Sequence, residues 1–137
     1  MMHFIDTNIL LYALSTDSEE AAKAAKALDL LDQPSGALSV QVLQEFYVQA
    51  TRDTKPDCIT HDQAVALITS WERFKIQEVT LEVMHAALRT KKRFRISYWD
   101  AAIVEAAKAA SCSVIYSEDL NDGQDFGGVR VKNPFSK

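Results

Sequence analysis

The hydrophobic and polar positions of the chain alternate between short apolar runs and longer amphipathic stretches. Residues His3–Ile5 predict a buried strand, and a helix is predicted to start near Ile9. A second helical stretch starts at Asp17, which has Glu20 at capping-box spacing, and it ends before Pro34. The start of the chain therefore predicts a strand followed by two helices.

The rest of the chain repeats this alternation. Thr60 with Gln63, and Ser97 before an apolar run, mark two further helix starts. Residues Ser113–Tyr116 are the clearest strand, because they are apolar, β-branched and bounded by polar residues. The predicted strands are 3–5, 36–40, 75–79, 113–116 and 129–131, and the later helices are 40–51, 64–74, 81–90 and 98–110.

Strands that alternate with helices of this length need crossover connections, which build a parallel sheet. The chain has 137 residues, the length of one domain, so we predict a single α/β domain over residues 1–137. Its sheet is expected to hold about five short strands flanked by helices. In such sheets the functional crevice lies beyond the carboxyl ends of the strands, so site residues should directly follow strands.

Composition and charge limit the class of protein. Hydrophobic residues make up 47% and charged residues 25%, which is typical of a globular domain. Cys58 and Cys112 lie far apart, which indicates neither a disulfide framework nor a zinc site. No stretch approaches the roughly 20 apolar residues of a membrane span, and the N-terminus lacks signal-peptide features, so a cytoplasmic location is expected. A net charge of −4 disfavours general nucleic-acid coating but permits a local basic patch.

Four acidic residues fall where a crevice is expected. Asp6 follows the first strand, Asp119 and Ser117 follow strand 113–116, Asp100 begins the helix shortly before that strand, and Glu45 lies in the helix after the second strand. Clustered carboxylates raise one another's pKa or bind a cation. Oxygen ligands without His or Cys favour Mg²⁺ or Mn²⁺.

Each acid also has a structural interpretation that the sequence leaves open. Asp6 has the position of a helix N-cap, and Ser97 with Asp100 has capping-box spacing. Asp119 lies in a turn-rich segment. Glu45 projects away from the predicted apolar face of its helix, which carries Val40, Leu43, Phe46, Tyr47 and Ala50. The three histidines are scattered, and neither a nucleophile elbow nor a P-loop is present, so carboxylate–metal chemistry is the best enzymatic interpretation.

Four blocks of the sequence resemble the PIN domain, and most closely the VapC-type ribonuclease toxins of bacterial toxin–antitoxin pairs. The blocks are "FIDTNILLYA", "VLQEFY", "SYWDAAIVEAA" and "IYSEDLNDGQ…VRVKNPF", and they span Phe4 to Phe135 in this order. The resemblance implies a parallel sheet flanked by helices and an acidic pocket that binds Mg²⁺ or Mn²⁺.

The resemblance also implies roles for individual residues. Asp6, Glu45, Asp100 and Asp119 match the family's catalytic acids, with Asp6, Asp100 and Asp119 as metal ligands. Asn8 matches a supporting polar residue, and Ser117 stands where the family often has Thr. The implied reaction is hydrolysis of RNA that leaves 5′-phosphate and 3′-hydroxyl ends. The implied partners are a cognate antitoxin and a second copy in a homodimer.

One basic run lies just ahead of Asp100. We interpret it as a phosphate-contacting rim, with Phe94 and Tyr98 available to stack on bases. A solvated helix end is the alternative, because basic residues are also favoured at a helix C-terminus. The candidate RNA contacts are Lys91, Lys92, Arg93 and Arg95.

Other functions remain open at this point. A PIN-like domain that has lost its nuclease would act as a nucleic-acid-binding or protein-interaction module. A PIN nuclease of RNA processing would need no antitoxin. A receiver-like phosphoacceptor is disfavoured, because it needs an acidic pair after the first strand and only Asp6 follows it here.

Overall fold

The computed structural model describes residues 2–136, so the predicted domain boundaries, Met1 and Lys137, lie outside the described residues. One sheet of five strands organises the fold, in the spatial order β3-β2-β1-β4-β5. The strands are β1 His3–Ile5, β2 Gly36–Ser39, β3 Lys75–Gln77, β4 Val114–Tyr116 and β5 Arg130–Lys132. The helices are α1 Thr7–Ala13, α2 Ala21–Leu31, α3 Val40–Ala50, α4 His61–Trp71, α5 Leu81–Phe94 and α6 Tyr98–Ala109, with a 3-10 turn at Ser18–Glu20.

All four strand pairings are parallel, which confirms the predicted α/β fold with a parallel sheet flanked by helices. β1 lies at the centre, where Phe4 pairs with Ala37 on one side and Ile115 on the other. Each residue of β1 and β2 is buried. Continuous apolar strands of this kind are expected where helices cover both faces of a sheet. Phe4, Leu38, Phe46 and Ile115 are among the fully buried side chains of the core.

Polar caps start the helices, largely as the sequence predicts. Thr60 and Gln63 form the predicted capping box at the start of α4. The predicted box of Asp17 and Glu20 is wrong. Asp17 accepts from the Glu19 backbone N–H and starts only the 3-10 turn, whereas the Glu20 carboxylate accepts from the hydroxyl of Ser15.

Element boundaries shift by a few residues from the predictions. The first helix starts at Thr7 because Asp6, and no later residue, provides its cap. The third strand ends at Gln77, and the fifth runs 130–132 instead of 129–131. Within residues 2–136, no helix has the length and apolar character needed to cross a membrane.

The order of the sheet places two strand ends side by side. After β1 the chain turns to β2 on one side, and β4 occupies the other side. The Asp6 backbone N–H donates to the Tyr116 carbonyl at 3.1 Å, so the residues that follow β1 and β4 are adjacent. This edge is the topological switch point at which α/β sheets form their crevices.

Candidate active site

Asp6 is both a helix cap and a buried carboxylate of the crevice. Its Oδ1 accepts from the Thr7 backbone N–H at 2.8 Å and so caps α1. Its Oδ2 accepts from the Ser117 hydroxyl at 2.7 Å. Only 7% of Asp6 is exposed. The two interpretations left open by the sequence are therefore compatible, because each uses a different oxygen.

The surroundings of Asp6 disfavour its charge. The pKa of Asp6 is raised to about 6, and burial is the main cause. The hydrogen bonds from Ser117 and Thr7 act in the opposite direction and lower the pKa. The negative charges of Glu45 and Asp119 raise the pKa further. An ionised carboxylate in such surroundings is stabilised by a cation placed beside it.

Asn8 and Ser117 join Asp6 to Asp119. The amide nitrogen of Asn8 lies 3.3 Å from Asp6 Oδ2, 3.3 Å from Ser117 Oγ and 3.2 Å from Asp119 Oδ2. Ser117 is fully buried, and its Oγ also accepts from the Asp119 backbone N–H at 3.1 Å. The side-chain oxygen of Asn8, Oδ1, accepts from the backbone N–H of Glu118 at 3.2 Å. These bonds fix the segment after β4 against the start of α1.

Glu45 approaches the same place from α3. The hydroxyl of Thr7 donates to Glu45 Oε1 at 2.8 Å. The buried face of α3 is rotated about the helix axis relative to the predicted apolar face. Of the residues predicted to be buried, Val40, Leu43 and Tyr47 are only partly so. The side chains that α3 buries are Gln41, Val42, Phe46 and Ala50. Glu45 lies next to this buried face and is half-buried itself.

Asp100 lies in the first turn of α6. Ser97 caps the helix by accepting from the Asp100 backbone N–H at 3.1 Å. Among residues 2–136 no bond returns from the Asp100 carboxylate to Ser97, so only half of the predicted capping box forms. The Asp100 carboxylate is thereby left for the crevice.

All four predicted acids line one cavity of about 110 Å³, which we call the acidic cavity. They come from four separate segments: the ends of β1 and β4, and the helices α3 and α6. Its lining residues are Asp6, Thr7, Asn8, Leu11, Glu45, Gln49, Trp99, Asp100, Ile103 and Asp119.

The donor set of the acidic cavity fits Mg²⁺ or Mn²⁺. Among the described residues of its lining, carboxylate oxygens are the strong metal-binding groups, and neither His nor Cys contributes. Within the described part of the chain, no three His, Cys, Asp or Glu side chains lie close enough to hold one ion together. Mg²⁺ keeps several of its waters and is usually bound through one or two carboxylates, so this spacing is compatible with it.

The basic run lies outside the acidic cavity. Its members are exposed at the C-terminal end of α5, where Arg95 closes the helix in a left-handed conformation. Phe94 packs edge-to-face on Phe126, with 4.9 Å between ring centroids. Its ring therefore contributes to packing within the domain and is not free to stack on a base. The role of this run as a contact for RNA stays a prediction. None of Lys91, Lys92, Arg93 and Arg95 lines the acidic cavity.

Three polar or aromatic residues of the cavity lining are not among the site residues predicted from the sequence. Thr7 orients Glu45, although 38 positions separate the two in the chain. Gln49 lies one helical turn after Glu45, and that spacing is the only available signal for it. Trp99 directly precedes Asp100 and is 63% exposed. Its place beside a candidate site acid is the one sequence feature that could have indicated a role in the site.

Comparison with known proteins identifies the fold. The profile of the family described as "PIN domain" matches residues 3–122. No curated protein matches the chain at a significant level.

Solved structures similar to this chain include components of toxin–antitoxin systems. A toxin–antitoxin complex from Klebsiella pneumoniae has a TM-score of 0.70 at 19% identity, covering 98% of this chain and 99% of that chain. VapC20 from Mycobacterium tuberculosis, a toxin that cleaves the sarcin–ricin loop, has a TM-score of 0.69 at 21% identity, covering 96% and 99%. VapBC2 from Rickettsia felis, bound to a DNA fragment of its promoter, has a TM-score of 0.67 at 16% identity, covering 97% and 98%.

Proposed function

This chain belongs to the PIN domain family, and from that premise we propose that it is a metal-dependent endoribonuclease, the toxin of a toxin–antitoxin pair. One observation carries the proposal. Carboxylates from four separate segments line a single cavity at the carboxyl edge of a parallel sheet. Maintaining four like charges in one cavity is unfavourable for stability, so a functional reason for the arrangement is needed.

Asp6, Asp100 and Asp119 would hold the Mg²⁺ or Mn²⁺ ion, with one or two of them binding it directly and the rest through its waters. When bound, such an ion neutralises charge on a phosphate under attack and makes water a stronger nucleophile. The raised pKa of Asp6 supports this assignment, because a cation beside the carboxylate would favour its ionised form and so offset the burial that raises the pKa.

Glu45 would orient the attacking water and accept its proton. The Thr7 hydroxyl donates to one of its oxygens, Oε1, which leaves Oε2 for the water. Attack at phosphorus then breaks the bond to the 3′-oxygen of the preceding nucleotide, which takes a proton and leaves as a 3′-hydroxyl. The other product carries the 5′-phosphate. Asn8 and Ser117 would act as positioning residues, because they hold Asp6 and Asp119 in register.

RNA is the proposed substrate, and the exposed basic run would contact its phosphates. Lys91, Lys92, Arg93 and Arg95 form no ion pair with any acid in residues 2–136, so their charge is available to a polyanion. VapC20, which shares this fold, is described as a toxin that cleaves the sarcin–ricin loop.

A cognate antitoxin is the proposed protein partner. Solved structures with this fold include a toxin–antitoxin complex and VapBC2 on promoter DNA. A homodimer and a cytoplasmic location stay predictions from the sequence.

Cleavage of labelled RNA tests the proposal. The metal-stripped chain is incubated with single-stranded and hairpin RNAs, with Mg²⁺, with Mn²⁺ or with a chelator. Asp6→Asn and Asp100→Asn are run in parallel. Asp29→Asn removes an exposed acid of α2 and is the matched control for the change in charge.

We expect cleavage only with metal, loss of at least a hundredfold in both site variants, and no loss in Asp29→Asn. If folded, antitoxin-free protein cuts no RNA in the panel, the binding-module interpretation replaces the nuclease. Cleavage without an antitoxin gene in the neighbouring reading frame would favour a nuclease of RNA processing.

A further inference from the structure

Trp99 forms one wall of a groove that continues from the acidic cavity. It is 63% exposed, whereas the chain's other tryptophan, Trp71, is 4% exposed. The backbone of Trp99 is fixed, because its carbonyl accepts from the Gln41 side-chain amide at 3.3 Å. The indole packs edge-to-face on Tyr98, with 5.1 Å between ring centroids. An exposed aromatic ring on a fixed turn of helix is suited to stacking.

The groove has a volume of about 360 Å³, within the usual range of small-molecule sites. Trp99, Glu45 and Gln49 line both the groove and the acidic cavity, so the two are continuous. We call this feature the Trp99 groove, and its lining residues are Gln41, Gln44, Glu45, Val48, Gln49, Arg52 and Trp99.

The chemistry of the Trp99 groove matches a nucleotide. Side-chain amides recognise the edges of bases, and aromatic rings stack on their faces. Arg52 is exposed and pairs with no acid among residues 2–136, so its guanidinium is available to a phosphate. Apart from Glu45, none of the described residues that line the groove is acidic.

A second cavity adjoins the acidic cavity and is unsuitable for RNA. It is larger, about 680 Å³, and it shares Asn8, Leu11, Gln49 and Asp119 with the acidic cavity. Among residues 2–136, its lining contains five acids and one basic residue, Lys55, so it repels phosphates. Its acids are Asp17, Glu20, Asp57, Glu118 and Asp119. Electrostatics therefore favour the Trp99 side for the nucleotide next to the cleaved bond.

We propose that the Trp99 groove is a nucleobase subsite, in which a base next to the scissile phosphate stacks on the indole of Trp99. Gln44 and Gln49 contact the edge of that base, and Arg52 contacts the flanking phosphate. This inference rests on the proposed ribonuclease activity, because it identifies the scissile phosphate with the acidic cavity.

Tryptophan fluorescence tests stacking without cleavage. The full chain is titrated in chelator with hexaadenylate and with an abasic hexanucleotide that carries the same number of phosphates. Trp99→Phe is the matched variant, because it leaves only the buried Trp71 as an emitter. We expect hexaadenylate to quench the wild type and the abasic strand to bind roughly tenfold more weakly. Trp99→Phe should show no quenching. Equal binding of the two strands would overturn the proposal.

Steady-state cleavage gives the second measurement. Trp99→Ala should raise KM about tenfold with little change in kcat, and Trp99→Phe should restore most of the loss because it keeps an aromatic face. Val65→Ala, an exposed apolar position on α4, is the control and should behave as wild type.

The two proposals fail in different ways. A wild type that cuts no RNA contradicts the nuclease, while the difference in quenching still decides whether a base stacks on Trp99. A wild type that cuts RNA, together with a Trp99→Ala variant of unchanged KM, contradicts the subsite and leaves the nuclease standing. Loss of self-association or antitoxin binding in Trp99→Ala, with RNA affinity unchanged, would assign the exposed indole to a protein interface and overturn the subsite.

Discussion

Asp6 carries the clearest electrostatic signature in the site, because it is the most buried of the four acids and is held near two others. Its pKa is raised to about 6, chiefly by burial, while Ser117 and Thr7 hydrogen-bond the ionised form and lower it. A residue that only capped α1 would function better in a solvated position. The burial of Asp6 is therefore a cost to stability that the proposed metal site explains.

The stability of the chain should depend on pH through Asp6. Folded Asp6 keeps its proton to about pH 6, whereas an unfolded aspartate loses it near pH 3.8. The folded state therefore binds more protons between these values, and the free energy of unfolding contributed by Asp6 falls as pH rises, by about 3 kcal/mol in total. Asp6→Asn abolishes this contribution.

Urea unfolding of wild type and Asp6→Asn from pH 4 to pH 8, without metal, measures the effect. The stability of the wild type relative to the variant should fall as pH rises to about 6 and then level off. A relative stability that stays constant or rises with pH would show that the Asp6 carboxyl is not held in unfavourable surroundings. Asp29→Asn gives the baseline for an exposed aspartate.

Thr7 should affect catalysis through Glu45. Its hydroxyl donates to Glu45 Oε1 at 2.8 Å. Thr7→Val keeps the shape and removes the donor, so we expect kcat to fall roughly tenfold, corresponding to about 1.4 kcal/mol, with KM little changed. Thr7→Ser keeps a hydroxyl and should retain most of the activity. Equal losses of kcat in Thr7→Val and Thr7→Ser would exclude the orientation of Glu45 by the Thr7 hydroxyl as the cause of the loss.

At the scale of elements, three helices with side-chain N-caps supply residues to the site. Asp6, Ser39 and Ser97 cap α1, α3 and α6 with their side chains, and these are the three helices that border the acidic cavity. Local capping chemistry therefore sets where Thr7, Glu45 and Asp100 stand along their helices.

Removal of one cap tests this link. Ser97→Ala leaves the Asp100 backbone N–H without its acceptor and should lower the free energy of unfolding by about 1 kcal/mol. Cleavage should fall as well, because the first turn of α6 holds Asp100. Chemical denaturation and cleavage rates are compared with those of Ser97→Thr, which keeps a capping oxygen. Full activity in a destabilised Ser97→Ala variant would show that the position of Asp100 does not depend on the cap.

Features that the sequence encodes locally were predictable from it. The strand 3–5, the capping box at Thr60 and the parallel α/β fold follow from apolar runs and caps, and the structure has each of them. The rotation of α3 depends on which helices cover it, so periodicity gave a face centred on the wrong residues. The exposure of Trp99 depends on the groove beside α3 and was likewise beyond local pattern.

At the scale of the whole molecule, the two sides of the acidic cavity differ in charge. The larger cavity is rich in acids, and the Trp99 groove carries Arg52 and neutral amides. The net charge of −4 is therefore unevenly distributed around the site. Under the proposed function, this distribution would direct an RNA strand to the Trp99 groove and a partner with basic residues to the larger cavity.

Binding of Mn²⁺ tests the central claim most directly, because it requires no knowledge of the RNA target. Free Mn²⁺ is measured by electron paramagnetic resonance in titrations of wild type, Asp6→Asn, Asp100→Asn and the control Asp29→Asn. We predict that wild type and Asp29→Asn bind Mn²⁺ with equal affinity, that Mg²⁺ competes, and that both site variants bind at least tenfold more weakly. Equal binding by all four proteins would contradict the claim that the acidic cavity is the metal site.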